Sequence, residues 1–235
     1  MSNIKFRLAK PSDAKQIANV HWNVRERYQK GIFLSLGKSF LRSYYKVILN
    51  DPYEVVVCAE NSQRKIIGFS SATLDAKYQA LTIKKNIVRL GFSALGSLIF
   101  HPRLIIEVID RYKSLDKKNK IKFIHNEGVR GEYWCWLKNE DDGVKSIEMG
   151  HVKENIIYNL GYRELFFEVD KFNKRVYKFY TKIDKSEVVE EIVLPDGRER
   201  VLNKNRHKAQ RKAKFYINKC RSASCMQSGL KQASA

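Results

Sequence analysis

Cysteine is scarce in this 235-residue chain. Cys58, Cys135, Cys220 and Cys225 are all it has, and no two are spaced CxxC. That argues against a cysteine-held metal cluster. Cys58 and Cys135 lie inside apolar, strand-like runs, where buried free thiols fit a reducing compartment. Long hydrophobic runs are also missing. The most apolar stretch, LGFSALGSLIF at 90–100, is shorter than the roughly 20 residues a bilayer span needs and runs into His101-Pro102-Arg103. The opening MSNIKFRLAK has no apolar stretch of signal length. The expected location is the cytoplasm. Acidic residues are the third shortage, with 25 Asp and Glu against 45 Lys and Arg, a net charge of +20. Nine of the cations and no acid lie in residues 203–235, which leaves +11 on residues 1–202. Such a surface favours polyanions without choosing among nucleic acid, acidic lipid and a phosphorylated ligand. A solvated basic face with a basic tail accounts for it equally well.

What is present is a core-forming fraction, 43% hydrophobic, arranged with two periodicities. IKFRLA (4–9) alternates as a strand, and Ser12 reads as the N-cap of a helix through Trp22. Residues 33–50 carry apolar positions at helical spacing, with Gly37 marking a break near the start. EVVVCAE (54–60) and IIGFSSATL (66–74) form a hairpin across NSQRK. Residues 79–115 read as two amphipathic helices broken at His101-Pro102, followed by a basic loop at 116–122. An aromatic strand follows at 131–139, then a helix at 146–160 capped by Ser146 and stopped by Gly161. Next come a strand at 163–169, a helix at 173–183 and a closing hairpin at 187–204. The order is β-α-α-β-β-(αα)-β-α-β-α-β-β with no internal repeat. It predicts an α/β sheet with both parallel and antiparallel neighbours. A short basic helix near 206–219 is a further expectation, and the last fifteen residues read as a disordered end.

This element order, with the stretches IKFRLAKPSDAKQIANVHW, FLSLGKSFLRSYYK, IIGFSSATL, LGYRELFFEVDKFNKRVYKFYTKI and LPDGRERVL, resembles the GNAT superfamily of acyl-CoA N-acyltransferases. The resemblance covers most of residues 4–202. It implies a mixed, mostly antiparallel sheet flanked by helices, with a helical insertion between strands 3 and 4. The acyltransferase domain is then 1–202, carrying the insertion and basic loop at 79–122, and 203–235 is a basic tail. In that family two neighbouring parallel strands splay, and the pantetheine arm of the cofactor lies in the opening. Here those strands are 131–139 and 163–169. The family's Val, Asn and Phe-Tyr pair fall on Val169, Asn173, Phe179 and Tyr180. The resemblance gives Asn173 to the cofactor and makes Tyr180 the general acid for the departing thiolate. Tyrosine, with a reference pKa near ~10, holds a proton at neutral pH. Seven residues are about two helical turns, which sets Tyr180 on the face Asn173 presents.

The family's glycine-rich phosphate loop is degenerate. Aligned on it, the chain reads Gly143-Val144-Lys145-Ser146-Ile147-Glu148, with Ser146 and Glu148 where glycines are usual. Glycines let pyrophosphate approach the backbone N–H groups of a helix start. Two readings stay open. In one, Lys145, Ser146 and the amides of Ile147 and Glu148 still bind acetyl-CoA. In the other, the cofactor site is lost and the fold serves binding. Backbone N–H groups of Trp136, Leu137 and Lys138 are the expected polarisers of the thioester carbonyl. Glu132 is the candidate general base, with a solvated strand-end carboxylate as the plain alternative and His125 and His151 as substitutes. No metal is expected. The acceptor implied is a primary amine of a small metabolite such as an amino sugar. A homodimer, nucleic acid at 204–221, and an acidic membrane under the apolar faces of 79–115 remain open as partners.

Overall fold

Every position of Ile66–Thr73 and all but the last of Glu54–Glu60 are buried, because both faces of these strands are covered. In a computed structural model, residues 4–27, 35–114, 125–137, 143–194 and 197–206 are described, without the side chains of 107 and 110–114. They form a seven-stranded sheet in the order β1-β2-β3-β4-β5-β7-β6. The strands are β1 Lys5–Leu8, β2 Glu54–Glu60, β3 Ile66–Thr73, β4 Arg130–Trp136, β5 Glu164–Asp170, β6 Glu187–Val193 and β7 Glu199–Arg206. All neighbours are antiparallel except β4 and β5.

One face carries helices α1 (Ala14–Asn23), α2 (Gly37–Ile48), α3 (Ala76–Lys85), α4 (Ile87–Phe100) and α5 (Arg103–Ser114). α1 and α2 supply Ile17, Leu41, Tyr45 and Ile48 to a core shared with Val56, Cys58 and Phe69 of the sheet. His21 is part of that core. Burial pushes its pKa down to about 3, so the ring is neutral, and its Nδ1 lies 2.7 Å from the Tyr45 hydroxyl. The opposite face carries α6 (Gly143–Asn159) and the short α7 (Lys174–Lys178). Met149 and Val152 of α6 pack on Val57 and Ile67, and Ile157 packs on Leu165 and Val169.

The mixed sheet and the helices inserted between β3 and β4 agree with expectation. Several boundaries do not. Ser12 is not a cap; a 3-10 turn, Pro11–Asp13, precedes α1, and Asp13 instead ties Arg7 (2.6 Å) and the Lys10 N–H (2.7 Å). The insertion holds three helices, starting at Ala76, because the Asp75 carboxylate caps the first by accepting from the Tyr78 N–H. It breaks at Asn86 as well as at His101-Pro102. α2 starts at Gly37, whose φ of +88° favours glycine; a Cβ there would stand 2.7 Å from Ser97 Oγ of α4. α6 is already helical at Gly143, so Ser146 is not its cap. The 173–183 segment is α-helical over Lys174–Lys178 and then widens into a π turn, Phe179–Ile183. The basic loop at 116–122 and the tail beyond Arg206 lie outside the described residues.

Candidate functional site

β4 and β5 part almost as soon as they meet. Their register holds two pairs, Arg130↔Phe166 and Gly131↔Phe167. On their far edges β4 stays paired with β3, and β5 with β7, along nearly their whole lengths. Gly131 is the last joined residue of β4. A Cβ there would lie 3.1 Å from Phe167 Cβ, so Phe167 would have to give by a few tenths of an ångström, and 3.8 Å from Lys153 Nζ, an ordinary contact.

A bulge then changes what β4 presents. Ala72 faces Gly131 but Ser70 faces Trp134, so Glu132 and Tyr133 together oppose Ser71. The Tyr133 N–H is taken by Ser71 Oγ at 3.1 Å. The extra residue reverses the alternation. Tyr133 and Cys135 join the α1–α2 core, while Trp134 and Trp136 join the α6 side. Past the bulge, the Leu137 N–H donates to Ile67 O at 2.9 Å. By antiparallel alternation the N–H groups of Trp134 and Trp136 point the other way, into the parting. Leu137 is therefore a correction: its amide belongs to β3. Lys138 lies outside the described residues.

Glu132 is not a solvated strand end. Its side chain is 7% exposed, and its Oε1 accepts from Arg130 Nη2 (2.6 Å) and Nε (2.8 Å). Arg130 also donates to Gln79 Oε1 (2.6 Å), Asn126 Oδ1 (3.0 Å) and the His125 carbonyl. Burial alone would lower the arginine's pKa, but Glu132, with Glu168 and Tyr44, raises it. Gln79 in turn donates to Glu54 Oε1 at 2.7 Å. Burial, followed by the charge of Glu132, drives Glu54 well above the usual carboxylate range, so it is neutral. His125 is partly buried against Phe166, its pKa lowered mainly by burial, and its N–H is held by Glu168 at 2.6 Å. His151 lines a separate polar pocket with Glu154, Asn155, Asp184 and Asn205. His125 and Glu132 are linked through Arg130, which donates to the His125 carbonyl and to Glu132 Oε1.

The start of α6 differs from expectation in side-chain direction. Ser146 is buried and turned to the sheet, where its Oγ and carbonyl accept from Trp134 Nε1 at 3.0 and 3.1 Å. Lys145 is held by Glu148 at 2.6 Å. What remains at the helix start are the first backbone N–H groups, those of Gly143, Val144 and Lys145; the Ile147 and Glu148 amides belong to the helix ladder. Among the described residues no group of acidic, histidine or cysteine side chains could hold a metal ion.

Asn173 caps α7. Its Oδ1 accepts from the Val176 N–H at 3.4 Å. The π turn, closed by Asp184 N–H to Phe179 O at 2.9 Å, swings the Phe-Tyr pair across the opening. Tyr180 lies 4.2 Å from Phe167 of β5 and 6.0 Å from Trp134 of β4, and Phe179 lies 5.4 Å from Trp134, centroid to centroid. The aromatic rings thus bridge the two strands that part. Burial, with the carboxylates of Glu154 and Asp184, raises the Tyr180 hydroxyl well above an ordinary tyrosine. It is held protonated.

Lys153 was missed from sequence. It is buried beneath Gly131 at the head of the parting, and burial lowers its pKa against the pull of Glu154, Asp184 and Glu132. The signal was there: Ser146, Met149, Lys153 and Ile157 recur at i, i+3, i+7 and i+11, one helical face with a lysine in the apolar stripe. Arg130 could have been suspected only as an arginine opening an aromatic strand.

No family model matches the chain and no curated protein matches its sequence. Solved structures do match its shape. The mosquito arylalkylamine N-acetyltransferase like 5b superposes with a TM-score of 0.52 at 14% identity, over 87% of this chain and 100% of that one. An acetyltransferase of the GNAT family from Streptococcus pneumoniae gives 0.50 at 12% identity, over 87% and 100%. An N-acetyltransferase from Staphylococcus aureus Mu50 gives 0.50 at 10% identity, over 86% and 97%. The chain has the fold of the GNAT acetyltransferases.

Proposed function

We propose that the chain is an N-acyltransferase that moves an acetyl group from acetyl-CoA to a primary amine of a small metabolite, such as an amino sugar. The observation that carries this reading is the parting itself: a parallel strand pair joined at two positions, with one edge of β4 left to a ligand. An amide-bearing arm such as pantetheine can pair with that edge as a third strand would. The Trp134 and Trp136 N–H groups meet its carbonyls and the thioester oxygen, where negative charge grows during transfer. The helix start at Gly143–Lys145 receives the pyrophosphate through backbone N–H groups. Glu132 Oε1 is engaged by Arg130, and its other oxygen takes a proton from the acceptor amine as the new C–N bond forms. That nitrogen attacks the thioester carbon. The sulfur leaves with a proton from the Tyr180 hydroxyl, which burial keeps protonated until that step.

A second reading is favoured by one observation. Trp134, Phe179, Tyr180 and Phe167 lie across the parting, and Lys145 is occupied by Glu148. On this reading the fold is kept as a non-catalytic binding protein. Calorimetric titration with acetyl-CoA separates the two. Micromolar binding by the wild type, followed by transfer to members of an amine panel, supports the enzyme. Absence of binding both in the wild type and in Glu148→Gly, which releases Lys145, leaves the binding protein.

A further inference from the structure

We propose that helices α4 and α5 dock the protein on an anionic lipid surface. α4 uses two opposite faces. Leu90, Ala94 and Leu98 pack into the α2 core, and Ser97 Oγ donates to Leu36 O at 2.9 Å. The other face shows Val88, Phe92, Leu95 and Ile99 at i, i+4, i+7 and i+11, a single helical stripe. Phe92 is 70% exposed, Ile99 74% and Phe100, at the helix end, 81%. Beyond His101-Pro102, Ile106 of α5 is 65% exposed. A helix apolar on all sides belongs in a core or in lipid. A contiguous outward stripe of this kind marks an interaction surface rather than scattered surface residues.

Charge selects the partner. Residues 76–114 contain Lys77, Lys84, Lys85, Arg89, Arg103, Arg111 and Lys113 against Glu107 and Asp110, a net charge of +5. A second copy of the chain would bring the same cations against each other, since a two-fold interface repeats one patch on both sides. An anionic bilayer satisfies both features: headgroups take the lysines and arginines while the stripe enters the acyl boundary. Among the described residues no helix is long and apolar enough to cross a membrane, so the pair lies along the surface. This inference stands whether or not the acyl-transfer reading holds.

The test is co-sedimentation of the full chain with phosphatidylcholine vesicles, with and without roughly one-third phosphatidylglycerol. Salt near ~150 mM screens loose adsorption by surface charge and by the basic residues of the 203–235 sequence. The wild type is expected to bind the anionic vesicles and not the neutral ones. Phe92→Ser/Ile99→Ser, both at exposed positions and checked for an unchanged circular dichroism spectrum, is expected to bind at least about tenfold more weakly. Failure of the wild type to bind overturns the proposal. So does equal binding by the double variant, which assigns adsorption to charge alone. A wild-type dimer in sedimentation velocity that the double variant converts to monomer gives the face to a second copy instead.

Discussion

The two halves of the sheet are built by different means. In β1–β4, β2 and β3 are buried almost throughout, and their side chains feed cores on both faces. In β5–β7, β6 is exposed at six of its seven positions and is laced to its surroundings by ion pairs such as Lys171–Glu191 (2.6 Å) and Arg206–Glu187 (3.3 Å). Exposed pairs of that kind contribute little each. The halves share two residue pairs, Arg130↔Phe166 and Gly131↔Phe167, a core in which Val55 and Ala72 cluster with Leu165, Phe167 and Val169, and the helix α6 laid across both. Past these two pairs β4 and β5 no longer bond to each other, and their facing backbone groups are turned to the opening. The stability of the junction therefore rests on a few buried residues, and the opening they leave is the candidate site.

The junction is most directly broken at Arg130. It is 5% exposed and holds Gln79, Glu132, Asn126 and the His125 carbonyl. Arg130→Ala leaves the Glu132 charge buried without its partner, a loss of roughly 3–5 kcal/mol. Urea denaturation is expected to show it as a shift in midpoint, and an unchanged midpoint would place the stability of the junction elsewhere. Next in size is Tyr180→Phe. If the hydroxyl delivers the proton to sulfur, kcat falls about a hundredfold, with acetyl-CoA affinity and thermal midpoint nearly unchanged. The wild type's rate is then expected to show no alkaline loss due to this group up to pH 10, its ordinary value, because burial raises the pKa above it.

How much of this was readable in the sequence follows from what periodicity can encode. The order of strands, the β2–β3 hairpin and the helices after β3 follow from apolar spacing, which survives in the fold. The Tyr180 ring lies between Phe167 and Trp134, at the parting where resemblance and spacing put it, while Asn173 is the cap of α7. The π turn was not legible, because KRVYKFYTKI reads as one continuous helix. The bulge was not legible either. GEYWCW does not say where a strand carries an extra residue, yet that residue decides that Glu132 and Trp134 face opposite sides. Ser146 was assigned outward because a helix start was placed at it; with the start at Gly143 the same residue turns inward to Trp134. For α4, an apolar pattern on all sides cannot tell a covered face from an open one, and exposure alone distinguishes them.

A smaller effect is expected at the last joined position. Gly131→Ala places a methyl 3.1 Å from Phe167 Cβ, 3.6 Å from the Phe166 carbonyl and 3.8 Å from Lys153 Nζ. Overpacking of this degree costs about 1–3 kcal/mol. It also pushes the strands apart where they are tied, so the thermal midpoint is expected to fall. A midpoint equal to wild type would mean that Phe167 gives way to the methyl without loosening the junction.

The smallest effect sharpens the comparison from the other side, by removing a liability of the well-built half. Glu54 is buried in β2, its Oε1 accepts from Gln79, and its Oε2 has no hydrogen-bond partner among the described residues. Its pKa in the fold is raised well above the ordinary 4.5, first by burial and then by Glu132. The unfolded chain therefore releases this proton near pH 4.5 while the folded chain keeps it. Above that pH the unfolded state binds fewer protons, and stability falls as pH rises toward the folded value. Glu54→Gln keeps an amide oxygen for Gln79 and has no proton to lose. It is expected to raise the denaturation midpoint at neutral pH and to give no gain below pH 4.5, where both states of the wild type are protonated at this position. A gain that is the same at both pH values would mean that the substitution acts through packing, and that Glu54 is not held neutral in the sheet.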